Sequence, residues 1–383
     1  MRRWGVIAAV LATALLAASA QPAHASRYLR IGIFDQAQAV FSADPDATFA
    51  TFEQLHTQEL RVTMYWGGQF GVAARRPAHA TNPADPAYNW TIYDRVVERA
   101  AAHGIHVLFS IYGTPLWANK GQTLNHAPTH WTDLRNFARA AATRYSGSYK
   151  ADDGTVLPAV RDWLAWNEPN NPVFLSPQYK KSGRKWMMVG ASAYAKICNG
   201  VYSGVHLTLL RSERVACGGT APRGNNDPSS SRPSVSPLAF IRAVKKAGLK
   251  TFDAWAHHPY YAGPTDQPTT KPVTAKGAPA TAVTLGNIGD LIKLVTQLYG
   301  HKRIWITEYG YQTNPPDHLL GVTYAKQAAY LKQAFAIAKK NPRIDMMLWF
   351  LLQDDPNPNG WQSGLLTARG AKKPAFVAFQ KLR

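Results

Sequence analysis

The chain has 383 residues, of which 46% are hydrophobic, 17% charged and 11% aromatic. That balance excludes disorder, collagen-like repeats and coiled coil. Two cysteines exclude a disulfide-scaffolded mini-protein and a cysteine-based zinc cluster. The formal charge of +20 favours an anionic partner, but the basic residues are scattered as pairs (Arg75-Arg76, Lys180-Lys181, Lys372-Lys373), with no run of five or more. With no RRM, KH or zinc-finger pattern, nucleic acid is not expected as a partner; the charge then serves solubility alone or an acidic or cell-wall glycan.

In chain order, Met1-Arg2-Arg3 is a basic start, Gly5–Ala20 is apolar, and Ala23-His24-Ala25 precedes Ser26. Together these predict a secretory signal peptide over 1–25 and an exported, secreted chain over 26–383, of charge +18 without Arg2 and Arg3. The apolar run is shorter than a bilayer span and no second one follows, so stable membrane insertion is not expected.

The first strand is expected at Arg30–Phe34, with a helix over 47–58. Leu60–Trp66 is followed by a helix over 92–103, and His106–Tyr112 by a helix ending at Arg144. Trp163–Trp166 leads to a helix over 194–205, and Arg214–Gly219 to one over 238–247. Phe252–His257 precedes the helix 288–298, Arg303–Thr307 precedes the helix 324–339, and Ile344–Phe350 is the last strand before a helix over 374–382. Apolar strands alternating with amphipathic helices imply parallel pairing under a layer of helices. Eight such units predict an α/β fold, a single (β/α)8 TIM barrel forming one domain over 26–383.

The long connections Gly67–Trp90, Asn171–Ala193 and Ala262–Gly286 each follow a strand, which places them on the C-terminal face where barrel active sites are built. No GxGxxG, Walker A, GxSxG or HExxH sequence is present, and Gly218-Gly219 is too little to mark a phosphate site. Cys198 and Cys217 fall on adjacent elements, which permits a disulfide without requiring one. A metal shared by His257-His258 is not expected, because adjacent strand residues face opposite ways.

Two glutamates stand out. Trp166-Asn167-Glu168-Pro169 closes strand four and Ile306-Thr307-Glu308-Tyr309-Gly310 closes strand seven. Side chains there face each other across the barrel mouth, and glycosidic cleavage needs such a pair, one to donate a proton and one to attack or activate water.

On these residues the chain resembles clan A of the glycoside hydrolases, and families 5 and 39 most. Other positions match: Arg61 on strand two, His258-Pro259-Tyr260 after strand six, Trp349 on strand eight, and Lys373-Pro374-Ala375 near the end. Strand three departs from family 5, ending Ile111-Tyr112-Gly113-Thr114-Pro115 without that family's histidine. The resemblance implies a retaining β-glycosidase without cofactor or metal, with Glu168 as acid/base and Glu308 as nucleophile. It further implies that Asn167 holds the sugar 2-hydroxyl, Arg61 and Tyr260 aim Glu308, His258 completes the network and Trp349 floors the sugar site. A non-catalytic carbohydrate- or wall-binding barrel, a transglycosylase of the same clan and a basic wall-associated structural protein remain as alternatives at this point.

Overall fold

The computed structural model describes residues 26, 29–208, 210–272 and 282–382. The expected leader at 1–25 and the loop tip 273–281 lie outside them. Eight parallel strands close into a barrel: β1 (Arg30–Phe34), β2 (Glu59–Tyr65), β3 (His106–Tyr112), β4 (Asp162–Ala165), β5 (Arg214–Thr220), β6 (Ala254–His257), β7 (Arg303–Tyr309) and β8 (Ile344–Phe350). Each pairs with its neighbours in sequence, and β1 closes onto β8 with Arg30 opposite Met346 and Phe34 opposite Phe350. The (β/α)8 architecture expected from the alternation is therefore present.

Helices follow the strands in order: α1 (Gln36–Phe41), α2 (Pro45–Gln54), α3 (Thr91–Ala102), α4 (Trp131–Arg144), α5 (Val189–His206), α6 (Pro237–Lys246), α7 (Ile288–Tyr299), α8 (Tyr324–Lys340) and α9 (Pro374–Gln380). The pattern over 47–58 is replaced by α1 and α2. Asp35 caps the first, its carboxylate accepting from Gln38 N, and Asp44 caps the second, with Pro45 at its first position. The sequence reading also lacks the exposed two-stranded hairpin Lys180–Ser182 and Lys185–Met187, which has no apolar alternation to announce it.

Period-two alternation sorts every barrel strand into an inner and an outer face. Outward residues such as Leu60, Val62, Phe109, Trp163 and Ile306 join the large core between sheet and helices. Inward residues stack in layers. At the N-terminal end Arg30 bridges Glu59 and Asp162, and Arg214 lies 2.9 Å from Asp162. Trp305 lies between the Arg30 and Arg214 guanidinium groups, 5.6 and 5.5 Å from its ring centre. Above this floor Leu108, Leu164, Ala216, Ala254, Ala256, Met346 and Leu348 fill the lumen. The barrel is thus a solid support, and the site sits on the layer above.

Candidate active site

Three local devices carry side chains into that upper layer. On β6 the alternation that turns Ala254 and Ala256 inward continues to His258, while His257 turns outward. His257 lies 2.8 Å from Thr220 Oγ1 and 3.0 Å from the Val283 carbonyl. That carbonyl can only accept, so Nε2 carries the proton and Nδ1 accepts from the hydroxyl. The two histidines do face apart, as strand geometry requires.

The second device is a bulge in β7. Ile306 pairs with Met347 but Tyr309 pairs with Trp349, so β7 holds one residue more than β8 over this interval. The extra residue lets Thr307 and Glu308 both turn inward, although strict alternation would send one to the helices. The third lies past β4, where Trp166 and Glu168 have φ of 74° and 37°. Left-handed backbone costs such residues about 1–3 kcal/mol each. Burial of Trp166, its indole N–H donating to the Phe174 carbonyl at 2.7 Å, and the Glu168 N–H bonded to the Gly219 carbonyl at 2.9 Å hold it. Gly219 belongs to a glycine pair with φ of 97° and 55°, at a register shift between β5 and β6. A Cβ on Gly218 would stand 2.5 Å from the Ala256 carbonyl oxygen. The pair therefore shapes the backbone that receives Glu168.

The result is one connected network. The Arg61 side chain is fully buried, its Nη1 donating to Glu308 Oε1 at 2.7 Å, its Nη2 to Asn167 Oδ1 at 2.6 Å and its Nε to Ser110 Oγ at 2.7 Å. Tyr260 donates its hydroxyl to Glu308 Oε2 at 3.2 Å. Burial and the facing carboxylates hold the Tyr260 phenol far above its ordinary range, so it remains a donor. His258 lies 3.0 Å from Glu168 Oε1 through Nδ1 and 3.0 Å from Thr307 Oγ1 through Nε2. Burial lowers its pKa to about 3, leaving the ring neutral. With Arg61 Nη1 3.4 Å from Nε2, that nitrogen is assigned as acceptor and Nδ1–H as donor to Glu168.

Glu168 also accepts from Asn171 Nδ2 at 3.1 Å. Burial raises its pKa to about 7, against the smaller opposing effects of Asn171 and Arg61. Glu168, His258 and Glu308 each bring one potential ligand atom within 4.8 Å of the others. The Arg61 guanidinium on Glu308 opposes a cation there.

Of the residues expected from sequence, Glu168, Glu308, Asn167, Arg61, His258 and Tyr260 thus converge. Trp349 does not. Met346, Leu348 and Phe350 are the inward residues of β8, so Trp349 points to the helices, fully buried, with its indole N–H on the Ser363 carbonyl at 2.8 Å. The expectation that it floors the cleft is corrected: Phe350 and Trp361 line the cleft, and Trp349 does not. Trp361 is 43% exposed, and its ring stands 5.4 Å from both Phe350 and Tyr260. Tyr65, Tyr112 and Phe174 line the same cleft, whose volume is about 1100 Å³.

Sequence reasoning also missed Ser110, Thr307 and Asn171. Ser110 and Thr307 are inward polar residues on otherwise apolar strands, a signal that was readable. Asn171 lies in a loop and gives none.

Several solved structures share this fold. A family 39 glycoside hydrolase from Bacteroides cellulosilyticus WH2 matches with a TM-score of 0.62 at 20% identity, over 93% of this chain and 63% of that one. This chain therefore spans less than two thirds of that protein's length. A glucosidase from Croceicoccus marinus matches at 0.65 with 14% identity, over 94% and 68%. A GH5_18 from Bifidobacterium longum subsp. infantis matches at 0.57 with 14% identity, over 93% and 78%. The likeness to families 39 and 5 expected from sequence is thus found in solved structures, and at these identities it is a likeness of fold. No curated protein matches the sequence. The model of the family of unknown function DUF5722 matches residues 91–383, well over half of the sequence, and the chain belongs to that family.

Proposed function

We propose that the protein is a secreted glycosidase that hydrolyses β-linked O-glycosidic bonds with retention, Glu308 being the nucleophile and Glu168 the acid/base. The observation that carries this reading is the carboxylate pair, with one oxygen of each glutamate within 4.8 Å of the other across an aromatic-walled cleft. That closeness supports direct attack, for which carboxyl groups stand about 5–5.5 Å apart, over inversion, which holds them about 6.5–9.5 Å apart around a water. The aromatic walls suit the apolar faces of sugar rings.

The two environments divide the roles. Burial keeps Glu168 protonated near neutral pH, so it can give its proton to the leaving oxygen as that bond breaks. Arg61 and Tyr260 donate to both oxygens of Glu308, which fixes the side chain in place for attack on the anomeric carbon. Attack by Glu308 forms a glycosyl ester and removes its charge. Glu168, now ionised, takes a proton from water, whose oxygen attacks the anomeric carbon and releases Glu308 as carboxylate. Export is supported by the N-terminal sequence and by the Cys198–Cys217 disulfide, a bond of oxidising compartments.

The test is product analysis on aryl β-glycosides and β-glycans, with the anomer followed by NMR. A β-configured first product, absent with Glu308→Ala, is expected. An α-configured product would overturn retention, and full activity in Glu308→Ala would overturn the assignment. Substrate binding without turnover would return the protein to the class of binding barrels.

A further inference from the structure

Between Glu168 and Glu213 the sequence holds no Asp or Glu, but it holds Lys180, Lys181, Arg184, Lys185, Lys196 and Arg211. Four of these cations lie on the hairpin, whose strands pair Lys180 with Met187, Lys181 with Trp186 and Ser182 with Lys185. Residues 180–187 are exposed throughout, including Trp186 at 46% and Met187 at 56%. Lys181 Nζ lies 6.0 Å from the Trp186 ring centre. Among the described residues no carboxylate forms an ion pair with any of the four. The hairpin belongs to no core, since it pairs only with itself and sits outside the barrel sheet.

Such a feature repels itself and adds little to stability, so its chemistry points outward. Its base is closed by the Gly190 N–H on the Gln178 carbonyl. It grows from the loop after β4 whose earlier part, Asn171–Phe174, lines the cleft. Two more cations stand on the cleft wall, on the loop after β5. Arg223 and Arg232 are exposed and without a carboxylate partner among the described residues, and Arg223 is steered by its Nη2 bond to the Tyr261 carbonyl at 2.7 Å. Cationic groups therefore stand both on the cleft wall and on the hairpin, each in a loop that follows a barrel strand at its C-terminal end.

We propose that this hairpin, with Arg223 and Arg232, is a docking surface for an acidic polysaccharide whose sugar carboxylates meet the Lys and Arg heads while Trp186 stacks on a ring. Arginine forks match carboxylates in pairs, and Trp offers a flat apolar face. A polymer is favoured over a lipid surface because two of the cations, Arg223 and Arg232, line the concave cleft, where a bilayer cannot follow. The choice of occupant rests on the glycosidase reading, but binding is measurable without hydrolysis.

The experiment compares the protein with the variant Lys180→Gln, Lys181→Gln, Arg184→Gln, Lys185→Gln and with Arg223→Gln, Arg232→Gln. Each is titrated with polygalacturonate, a neutral β-glucan and phosphatidylglycerol vesicles, across a salt series. The parent should bind polygalacturonate more tightly than the neutral glucan, with affinity falling steeply as salt rises. The hairpin variant should bind at least about tenfold more weakly at low salt, with a flatter salt dependence. The arginine pair should show a smaller loss in the same direction, and thermal stability should not change in either. Equal binding by parent and hairpin variant, no preference for polygalacturonate, or vesicle binding in place of polymer binding would each overturn the proposal. Binding with no hydrolysis of any glycan would leave it standing while removing the glycosidase reading.

Discussion

Arg61 Nη1 lies 2.7 Å from Oε1 of Glu308, and the arginine side chain has no exposed surface. Its three nitrogens reach Ser110, Asn167 and Glu308 at once, so one side chain fixes both the carboxylate and the neighbour of Glu168. Lysine offers a single ammonium and cannot span the three partners. We expect Arg61→Lys to lower kcat/KM on an aryl β-glycoside by about a hundredfold, through misplacement of Glu308. Arg61→Met leaves a buried carboxylate uncompensated and should cost about 3–5 kcal/mol in denaturant unfolding. Wild-type kinetics in Arg61→Lys would show that this contact is only structural.

The Glu168 pKa, raised to about 7 by burial from an ordinary 4.5, makes a paired prediction. In the proposed role of proton donor it must be protonated, so kcat/KM should fall as pH rises through about 7. Its effect on stability has the same direction. Between about 4.5 and 7 the native state keeps a proton that the unfolded chain has lost, so this group's contribution declines as pH rises. Glu168→Gln cannot ionise. It should lose activity on poor leaving groups while gaining up to about 3 kcal/mol over the parent near pH 8, and nothing near pH 4. Unfolding curves at the two pH values check this, and an equal difference at both would contradict it.

How much of this was legible depends on whether a residue obeys strand alternation. All eight strands and the helices from α3 onward follow from period-two and period-3.6 patterns, which locate Arg61 within β2 and place Glu168, Glu308 and His258 at or just past strand ends. Trp349 was misplaced although the same rule places it, since Met346, Leu348 and Phe350 form the inward row of β8. The bulge that turns both Thr307 and Glu308 inward is different in kind. It depends on pairing between β7 and β8, which no local pattern records. Likewise Trp361 reaches the cleft on a loop held by the buried Lys373–Asp354 pair at 2.7 Å and by Gln362 N–H on the Gln312 side chain at 3.1 Å. Those contacts exist only once the chain has folded.

The Cys198–Cys217 disulfide joins α5 to the outer face of β5, across a sequence separation of 19 residues. The open question of their pairing is thereby answered. Closing a loop of that size restricts the unfolded chain by about 3 kcal/mol. Cys198→Ala with Cys217→Ala should lower the unfolding free energy by about that amount. Because both sulfurs lie outside the barrel lumen, activity on a small substrate should persist below the new melting temperature. The same shift should appear when the parent is melted with a reductant, and no shift in either experiment would show the bond to be energetically silent.

The two tryptophans near the end of the barrel separate packing from recognition. Trp349 is fully buried and bonded to the Ser363 carbonyl, so Trp349→Ala removes a large core side chain and orphans an acceptor. A loss of about 3–5 kcal/mol is expected in unfolding, with KM unchanged in whatever folded protein remains. Trp361 is partly exposed over the cleft and packs on Phe350 and Tyr260. Trp361→Ala should leave stability within about 0.5 kcal/mol of the parent. Losing a stacking face worth about 1–2 kcal/mol should lower kcat/KM on a glycan about five- to thirtyfold, mostly through KM. Trp361→Phe should recover part of that loss, because a ring is what the position supplies. The reverse pattern, a stable Trp349→Ala with raised KM and a normal Trp361→Ala, would return Trp349 to the sugar site and refute the inward row of β8.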